Sequence, residues 1–171
     1  TFAQFGSLIT IETKERRLFG IVYDIQTGSM EPSRYPFTYQ KTEDELKAEQ
    51  PQIFEFLKTT FSCLAAGFEQ DEAIVHQIPP EPAKIHAFVS KAIDLDYKQF
   101  FSHPTFLNLI FSDQNVHNKD ELLLAIINHL HTRNLLTKEY LYCLIETFSL
   151  LTGNDYRRLK LLLARIQKLG L

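Results

Sequence analysis

The chain has 171 residues, of which 44% are hydrophobic and 23% are charged, so it can bury a core and is too apolar to be disordered. Its formal net charge of -3 gives no global electrostatic reason to bind nucleic acid or anionic lipid. No apolar run approaches the roughly 18 residues that a membrane-spanning helix needs, so we expect no membrane span. Cys63 and Cys143 lie in apolar surroundings, which predicts buried free thiols in a cytoplasmic protein.

Short runs of alternating apolar residues in the first half of the chain predict β-strands. Residues 5–12 and 17–25 alternate in this way, residues 59–68 are a β-branched and apolar run that ends at Gly67, and residues 73–78 are a further predicted strand. The first two are joined by a short charged link, which predicts an antiparallel hairpin. The apolar residues of the second should share one face: Phe19, Ile21, Tyr23 and Ile25. Gly20 inside that run predicts a bulge or a close backbone approach.

A long connection separates the second and third of these strands. Its first part, residues 26–41, is rich in turn formers and aromatic residues. We expect Tyr35, Phe37 and Tyr39 to pack this connection onto the module and to offer an interaction surface. The pattern Thr42-x-x-Glu45 is a capping box, which predicts a short helix beginning at Thr42.

After a proline cluster at residues 79–82, the apolar residues no longer alternate and instead recur every three or four residues, which is the spacing of a helix. It begins with Ile85, Phe88, Val89 and Ala92. Pro104 is at a position suited to the first residue of a further helix. Three long helices are predicted after it, with N-terminal caps at Asn118, Thr137 and Asn154. Gly153 and Gly170 are predicted to end the last two of them. The fold class predicted is α+β, with a small antiparallel β-barrel-like domain over residues 1–92 and a helical-bundle domain over residues 93–171.

The motifs of common enzymes are missing. The chain has no phosphate-binding glycine loop, no nucleophile elbow and no metal-binding spacing of Cys or His. His129 and His131 point to opposite sides of a helix, so we expect structural histidines rather than metal ligands. Asp94 and Asp96 precede or begin a helix, where capping is their expected role. We therefore predict a protein that is not an enzyme and has no cofactor or metal.

The last helix is basic and amphipathic. Its apolar stripe comprises Leu159, Leu162, Leu163, Ile166 and Leu169. Arg157, Arg158 and Arg165 lie among its cations and form a candidate interaction surface. Such a helix can bind nucleic acid or an anionic membrane, but a bundle needs the stripe for its core, so we favour a docked helix with a solvated basic face.

The first half also resembles a known family. The resemblance rests on four segments: Gly6-Ser7-Leu8-Ile9-Thr10-Ile11, Leu18-Phe19-Gly20-Ile21-Val22-Tyr23-Asp24-Ile25, Cys63-Leu64-Ala65-Ala66-Gly67-Phe68 and Ile78-Pro79-Pro80. They resemble the HAS-barrel, the small β-barrel of HerA-type DNA translocases and rotary ATP synthases, over residues 1–92. The chain is similar as well to small uncharacterised proteins of photosynthetic bacteria with this barrel. The resemblance implies an assembly and coupling element without catalytic residues, and no ATPase motif follows it here.

Three functions are compatible with this pattern. The first, which we favour, is a non-catalytic protein-interaction or assembly module that binds a protein partner or itself. The second is an accessory factor that binds nucleic acid through the basic last helix, which the acidic first half disfavours. The third is a small enzyme with a site at the domain junction, near His76, His86 and Tyr97.

Overall fold

A computed structural model describes residues 3–29, 44–45 and 57–170 of the chain. Its described part contains five strands followed by five helices. The strands are β1 (Leu8–Glu12), β2 (Arg17–Ser29), β3 (Leu57–Gln70), β4 (Ala73–Val75) and β5 (Val89–Lys91). The helices are α1 (Asp94–Phe100), α2 (Phe106–Ser112), α3 (Lys119–Thr132), α4 (Lys138–Leu151) and α5 (Tyr156–Lys168).

The strands form one antiparallel sheet in the order β4-β3-β2-β1-β5. In the described part of the chain β4 and β5 are its two edges and do not pair with each other, so the sheet is open there. The sheet followed by helices is as predicted, whereas closure into a barrel is not confirmed. The division at residue 92 stays a prediction. Asp44 and Glu45 are helical, and the rest of the helix predicted from Thr42 lies outside the described residues.

Two irregularities shape β2. The register with β3 shifts between Phe19 and Gly20, where Ala66 of β3 is the extra residue. The close backbone approach predicted at Gly20 is also found, since a Cβ there would lie 3.1 Å from the Ile9 side chain of β1. A second shift falls between Val22 and Asp24. It reverses the alternation, so Ile25 packs on the face opposite to Phe19. The prediction that Ile25 shares the face of Phe19 is therefore wrong.

One hydrophobic cluster joins the sheet to the helices. From the sheet it includes Leu8, Phe19, Ile21, Leu64 and Ala66, and from the helices it includes residues of all five. Four residues on the apolar faces of the two longest helices are buried in it: Leu124, Ile127, Leu144 and Phe148. Burying large side chains at about 1.5–3 kcal/mol each makes this cluster the main source of stability.

The helix ends follow local chemistry closely. The Thr137 side chain accepts a hydrogen bond from the Tyr140 N–H, and Gly153 has φ +67 just beyond α4, both as predicted. At α5 the cap is Asp155, which accepts from the N–H groups of Arg157 and Arg158, so the prediction of Asn154 is one residue early. None of the helices in the described ranges combines the length and hydropathy that crossing a membrane requires.

Three further predictions are corrected. The helical spacing that begins at Ile85 does not form a helix, because β5 pairs with the edge of β1 instead. Pro104 lies before the helix rather than at its first position, since α2 begins at Phe106. Cys143 is exposed, whereas Cys63 is partly buried and its pKa is raised by that burial. Both thiols are free, as expected.

Candidate functional site

The junction between sheet and helices depends on two buried side chains at the start of α1. The Asp96 carboxylate accepts two hydrogen bonds from the Arg17 guanidinium, at 2.5 and 3.1 Å, and one from the Ile93 N–H at 2.8 Å. The Tyr97 hydroxyl accepts the Leu8 N–H at 2.9 Å. Asp96 thus caps α1, as predicted, and also pairs with β2.

His76 is held between β4 and the first two helices. Its Nε2–H donates to the Phe100 carbonyl at 2.8 Å, so Nδ1 accepts from the Thr105 hydroxyl. The ring packs edge-on against Phe100 and Phe106. Gly67 admits this packing, because a Cβ there would lie 3.1 Å from the Phe100 ring. Burial lowers the pKa of His76 more than the Phe100 hydrogen bond raises it, so the neutral form is favoured.

The three residues named for an enzyme site at the junction do not converge. His76 is saturated by its contacts with Thr105 and Phe100, and Tyr97 is committed to the Leu8 N–H. His86 is exposed in a turn. The side chains of His76 and Tyr97 therefore fix the junction instead of facing a common substrate.

A polar cleft of about 430 Å³ lies elsewhere between sheet and helices. Its lining comes from β2, β3 and the connection before α3: Tyr23, Asp24, Gln26, Ser62, Asn115, His117 and Asn118. Inside it the Gln26 amide donates to the Asp24 carboxylate at 2.7 Å. The lining offers hydroxyl, amide, carboxylate and imidazole groups, which can donate and accept hydrogen bonds. Sequence reasoning missed this cleft because its segments are far apart in the chain.

The described residues provide no metal centre. No group of three or more His, Cys, Asp or Glu side chains within them is arranged to hold an ion. His129, one of the two helix histidines, donates from Nε2 to the Phe5 carbonyl at 3.0 Å and so ties α3 to the segment before β1. This is the structural role expected for it.

The basic residues of α5 divide between two surfaces. Arg158 makes a bidentate pair with Asp120 of α3, with its shortest hydrogen bond at 2.5 Å, and Arg165 pairs with Glu121 of the same helix. The pKa of Glu121 is lowered, chiefly by its hydrogen bonds to Arg165. Arg157 is exposed on another side of the helix. The expectation of a solvated basic face therefore agrees with the exposed Arg157 and Arg165, although Arg165 is paired, and fails for the half-buried Arg158.

The apolar stripe of α5 explains this orientation. Leu162 and Ile166 are buried against the bundle, and Leu159 packs at its margin. Leu169, in contrast, is exposed beyond the end of the helix. Docking by the stripe places two arginines beside the acidic first turn of α3. The other predicted surface, Tyr35, Phe37 and Tyr39, lies outside the described residues.

The connector loop, residues 77–88 between His76 and β5, exposes apolar side chains. Ile85 is 88% exposed and Phe88 is 89% exposed. Ile85 lies within, and Phe88 directly follows, a tight turn that the Ala87 N–H closes by donating to the Lys84 carbonyl at 2.9 Å. His86 occupies the turn with φ +67, a conformation that costs a non-glycine residue about 1 kcal/mol. Strain and exposed apolar area at one turn are features of binding loops.

Comparison of the chain with protein-family models, with curated proteins and with solved structures finds no match. The resemblance to the HAS-barrel therefore stays a prediction. Function has to be argued from the surfaces and contacts described above.

Proposed function

We propose that this chain is a non-catalytic protein-interaction module of the cytoplasm, and that its connector loop docks into an apolar pocket on a partner protein. The observation that carries the proposal is the near-complete exposure of Ile85 and Phe88 on a turn that the chain holds in a strained conformation. Large apolar side chains presented on a preformed loop lose little entropy on binding, and aromatic residues are typical interface anchors.

Neighbouring features support the same function. Pro79, Pro80 and Pro82 restrict the backbone that leads into the turn, so the loop needs little ordering when it binds. Ile78 at the start of the loop is also largely exposed. The resemblance to the HAS-barrel adds support, because in that family the barrel is an element of assembly and coupling.

The experiment uses the whole chain with a photo-reactive phenylalanine analogue in place of Phe88. Irradiation in an extract of the source cells should give one dominant crosslinked protein. Adding an excess of the wild-type chain without the analogue should reduce the yield of that crosslink. The matched competitor Ile85→Ser/Phe88→Ser should not compete. The same analogue at Lys14, an exposed position in the β1–β2 turn, controls for random encounters.

Two results would overturn the proposal. One is a crosslink pattern at position 88 that equals the pattern at position 14. The other is equal competition by the wild-type chain and by the serine variant, which would show that the two apolar side chains contribute nothing to binding. Binding of nucleic acid that is lost in Arg157→Glu would instead favour the accessory-factor alternative.

A further inference from the structure

The outward sides of α4 and α5 carry opposite charges. On one side of α4 the exposed residues are Glu139, Tyr142, Cys143, Glu146 and Leu150, and Lys138 is exposed at the edge of this set. On one side of α5 they are Arg157, Lys160, Leu161, Ala164 and Lys168, and Tyr156, Arg165 and Gln167 are exposed beside them. We call these sets the α4 outer face and the α5 outer face. The first set has two acids, and with Lys138 at its edge the exposed side of α4 has a net charge of -1, whereas the second set has three bases and no acid.

Large apolar side chains occupy both outer faces. Tyr142 of α4 is 72% exposed and Leu161 of α5 is 69% exposed, and Leu150 is exposed as well. A monomer gains nothing from such side chains in water, whereas burying each against a partner is favourable. The cations are also available, because within the described residues no ion pair involves Arg157, Lys160 or Lys168.

The two helices are neighbours in the fold. They contact each other, and the link between them, residues 152–155, has a length that is typical of antiparallel helix pairs. Both turn their buried residues, Leu144 and Leu162 among them, towards the same hydrophobic cluster. An antiparallel pair docked on one core places its two outer faces side by side, with net acidic charge along α4 and basic charge along α5.

We propose that this surface pairs with the same surface of a second copy of the chain in a two-fold symmetric dimer. A two-fold axis that runs between α4 and α5, parallel to them, places each α4 outer face on the α5 outer face of the other copy. With a rise of about 1.5 Å per residue, Glu146 then lies level with Lys160 of the second copy, and Glu139 lies level with its Lys168. Ala164, the small residue at the centre of the α5 outer face, leaves room for Tyr142.

Charge complementarity makes a second copy the occupant that these faces fit best. A nucleic acid or an anionic membrane would match the α5 outer face but would be repelled by the two acids of the neighbouring helix. The surface is about 20 Å long, which is at the small end for stable interfaces, so we expect a dimer with a dissociation constant in the micromolar range.

Sedimentation equilibrium of the whole chain over about 1–300 µM, which spans such a constant, tests the dimer. The wild type should show a monomer–dimer equilibrium that weakens as salt rises. Glu146→Lys and Lys160→Glu should each weaken dimerisation at least tenfold, because each places two pairs of like charges in the interface. Lys14→Glu, a charge reversal outside both faces, should leave it unchanged.

Mixing the two interface variants gives the decisive result. A heterodimer of the Glu146→Lys chain with the Lys160→Glu chain again has opposite charges at both contacts, so the mixture should dimerise within about threefold of wild type. A monomeric wild type at 300 µM, or a mixture no tighter than either variant alone, would overturn the dimer. Ile85→Ser/Phe88→Ser should dimerise normally, because the connector loop shares no residue with the outer faces; loss of one function therefore leaves the other measurable.

Discussion

Phe88 and Phe100 belong to neighbouring segments of the chain and have opposite surroundings. Phe100 is fully buried at the junction, where it contacts Phe19, Phe106 and His76. Phe88 projects from the connector loop into solvent. At the junction the Phe100 ring is buried and helps to hold the sheet and the helices together, whereas in the connector loop the Phe88 ring makes no such contribution to the fold. Apolar area that the fold does not use is available to a partner.

The polar groups of the two regions differ in the same way. At the junction, Asp96 and Tyr97 each accept hydrogen bonds from a strand that is distant in sequence. In the connector loop, the turn at His86 is closed by a local backbone hydrogen bond. Substitutions at the junction should therefore lower the free energy of unfolding, whereas substitutions in the connector loop should weaken binding to a partner and leave stability unchanged.

The largest expected effect is at Phe100. Phe100→Ala removes a ring from a packed aromatic cluster, and the lost transfer energy plus the cavity should lower the free energy of unfolding by about 3–5 kcal/mol. Urea denaturation followed by circular dichroism measures it. Phe100→Leu, which keeps most of the volume, should cost less than about 1.5 kcal/mol. Equal losses for the two variants would contradict close packing at the junction.

The next largest effect is expected at Asp96. Asp96→Asn keeps the shape but removes the buried charge that pairs with Arg17, which leaves a partly buried guanidinium with only the exposed Glu12 as its anion. We expect the free energy of unfolding to fall by about 2–3 kcal/mol. Asp94→Asn is the matched control, because Asp94 pairs with Arg133 at the surface and should cost less than about 1 kcal/mol. A loss at position 94 as large as at 96 would refute the special role of the buried pair.

Features determined by residues close together in the chain can be predicted from the sequence, whereas features that depend on distant residues cannot. The Thr137 cap and Gly153 end of α4 are encoded within a few residues, and both were predictable. Strand β5 was not, because it exists only through pairing with β1, and its local apolar spacing imitates a helix. The sequence does not decide whether Asn154 or Asp155 caps α5, because both residue types are good N-terminal caps.

The junction contacts show the same limit. The pairing of Arg17 with Asp96 joins residues 79 positions apart, and no local pattern marks it. Asp96 was predictable as a cap but not as the partner of a strand. The polar cleft likewise assembles Asp24, Ser62 and His117 from three separate segments. Exposure of Phe88 could not be predicted either, since an apolar residue at helical spacing is usually buried.

A smaller effect is expected from His76 at mildly acidic pH. Its pKa is lowered from an ordinary value of 6.5, mainly by burial and slightly by nearby His103. The unfolded chain therefore binds this proton at a higher pH than the folded chain does. Stability should be lost as pH falls below about 6.5 towards the folded pKa, with a slope of at most about 1.4 kcal/mol per pH unit from this group.

Denaturation curves between pH 5 and pH 7.5, chosen to bracket the roughly 6.5 of an ordinary histidine, measure this slope. His76→Gln should flatten the pH dependence in that window. His131→Gln, a substitution at an exposed position on α3, should leave it as in wild type. A slope that persists in His76→Gln would assign the titration to other groups and would remove the evidence for a buried neutral imidazole at the junction.

The smallest effect on stability, and the sharpest contrast with the junction, is expected for Ile85→Ser/Phe88→Ser. Both side chains are almost fully exposed, so their removal should change the free energy of unfolding by less than about 0.5 kcal/mol. Urea denaturation beside Phe100→Ala makes the comparison direct. A loss above about 1 kcal/mol would show that the fold uses these side chains after all, and the connector loop would then be part of the core rather than a binding loop. An unchanged stability combined with lost competition in the crosslinking experiment would separate folding from binding within one short stretch of chain.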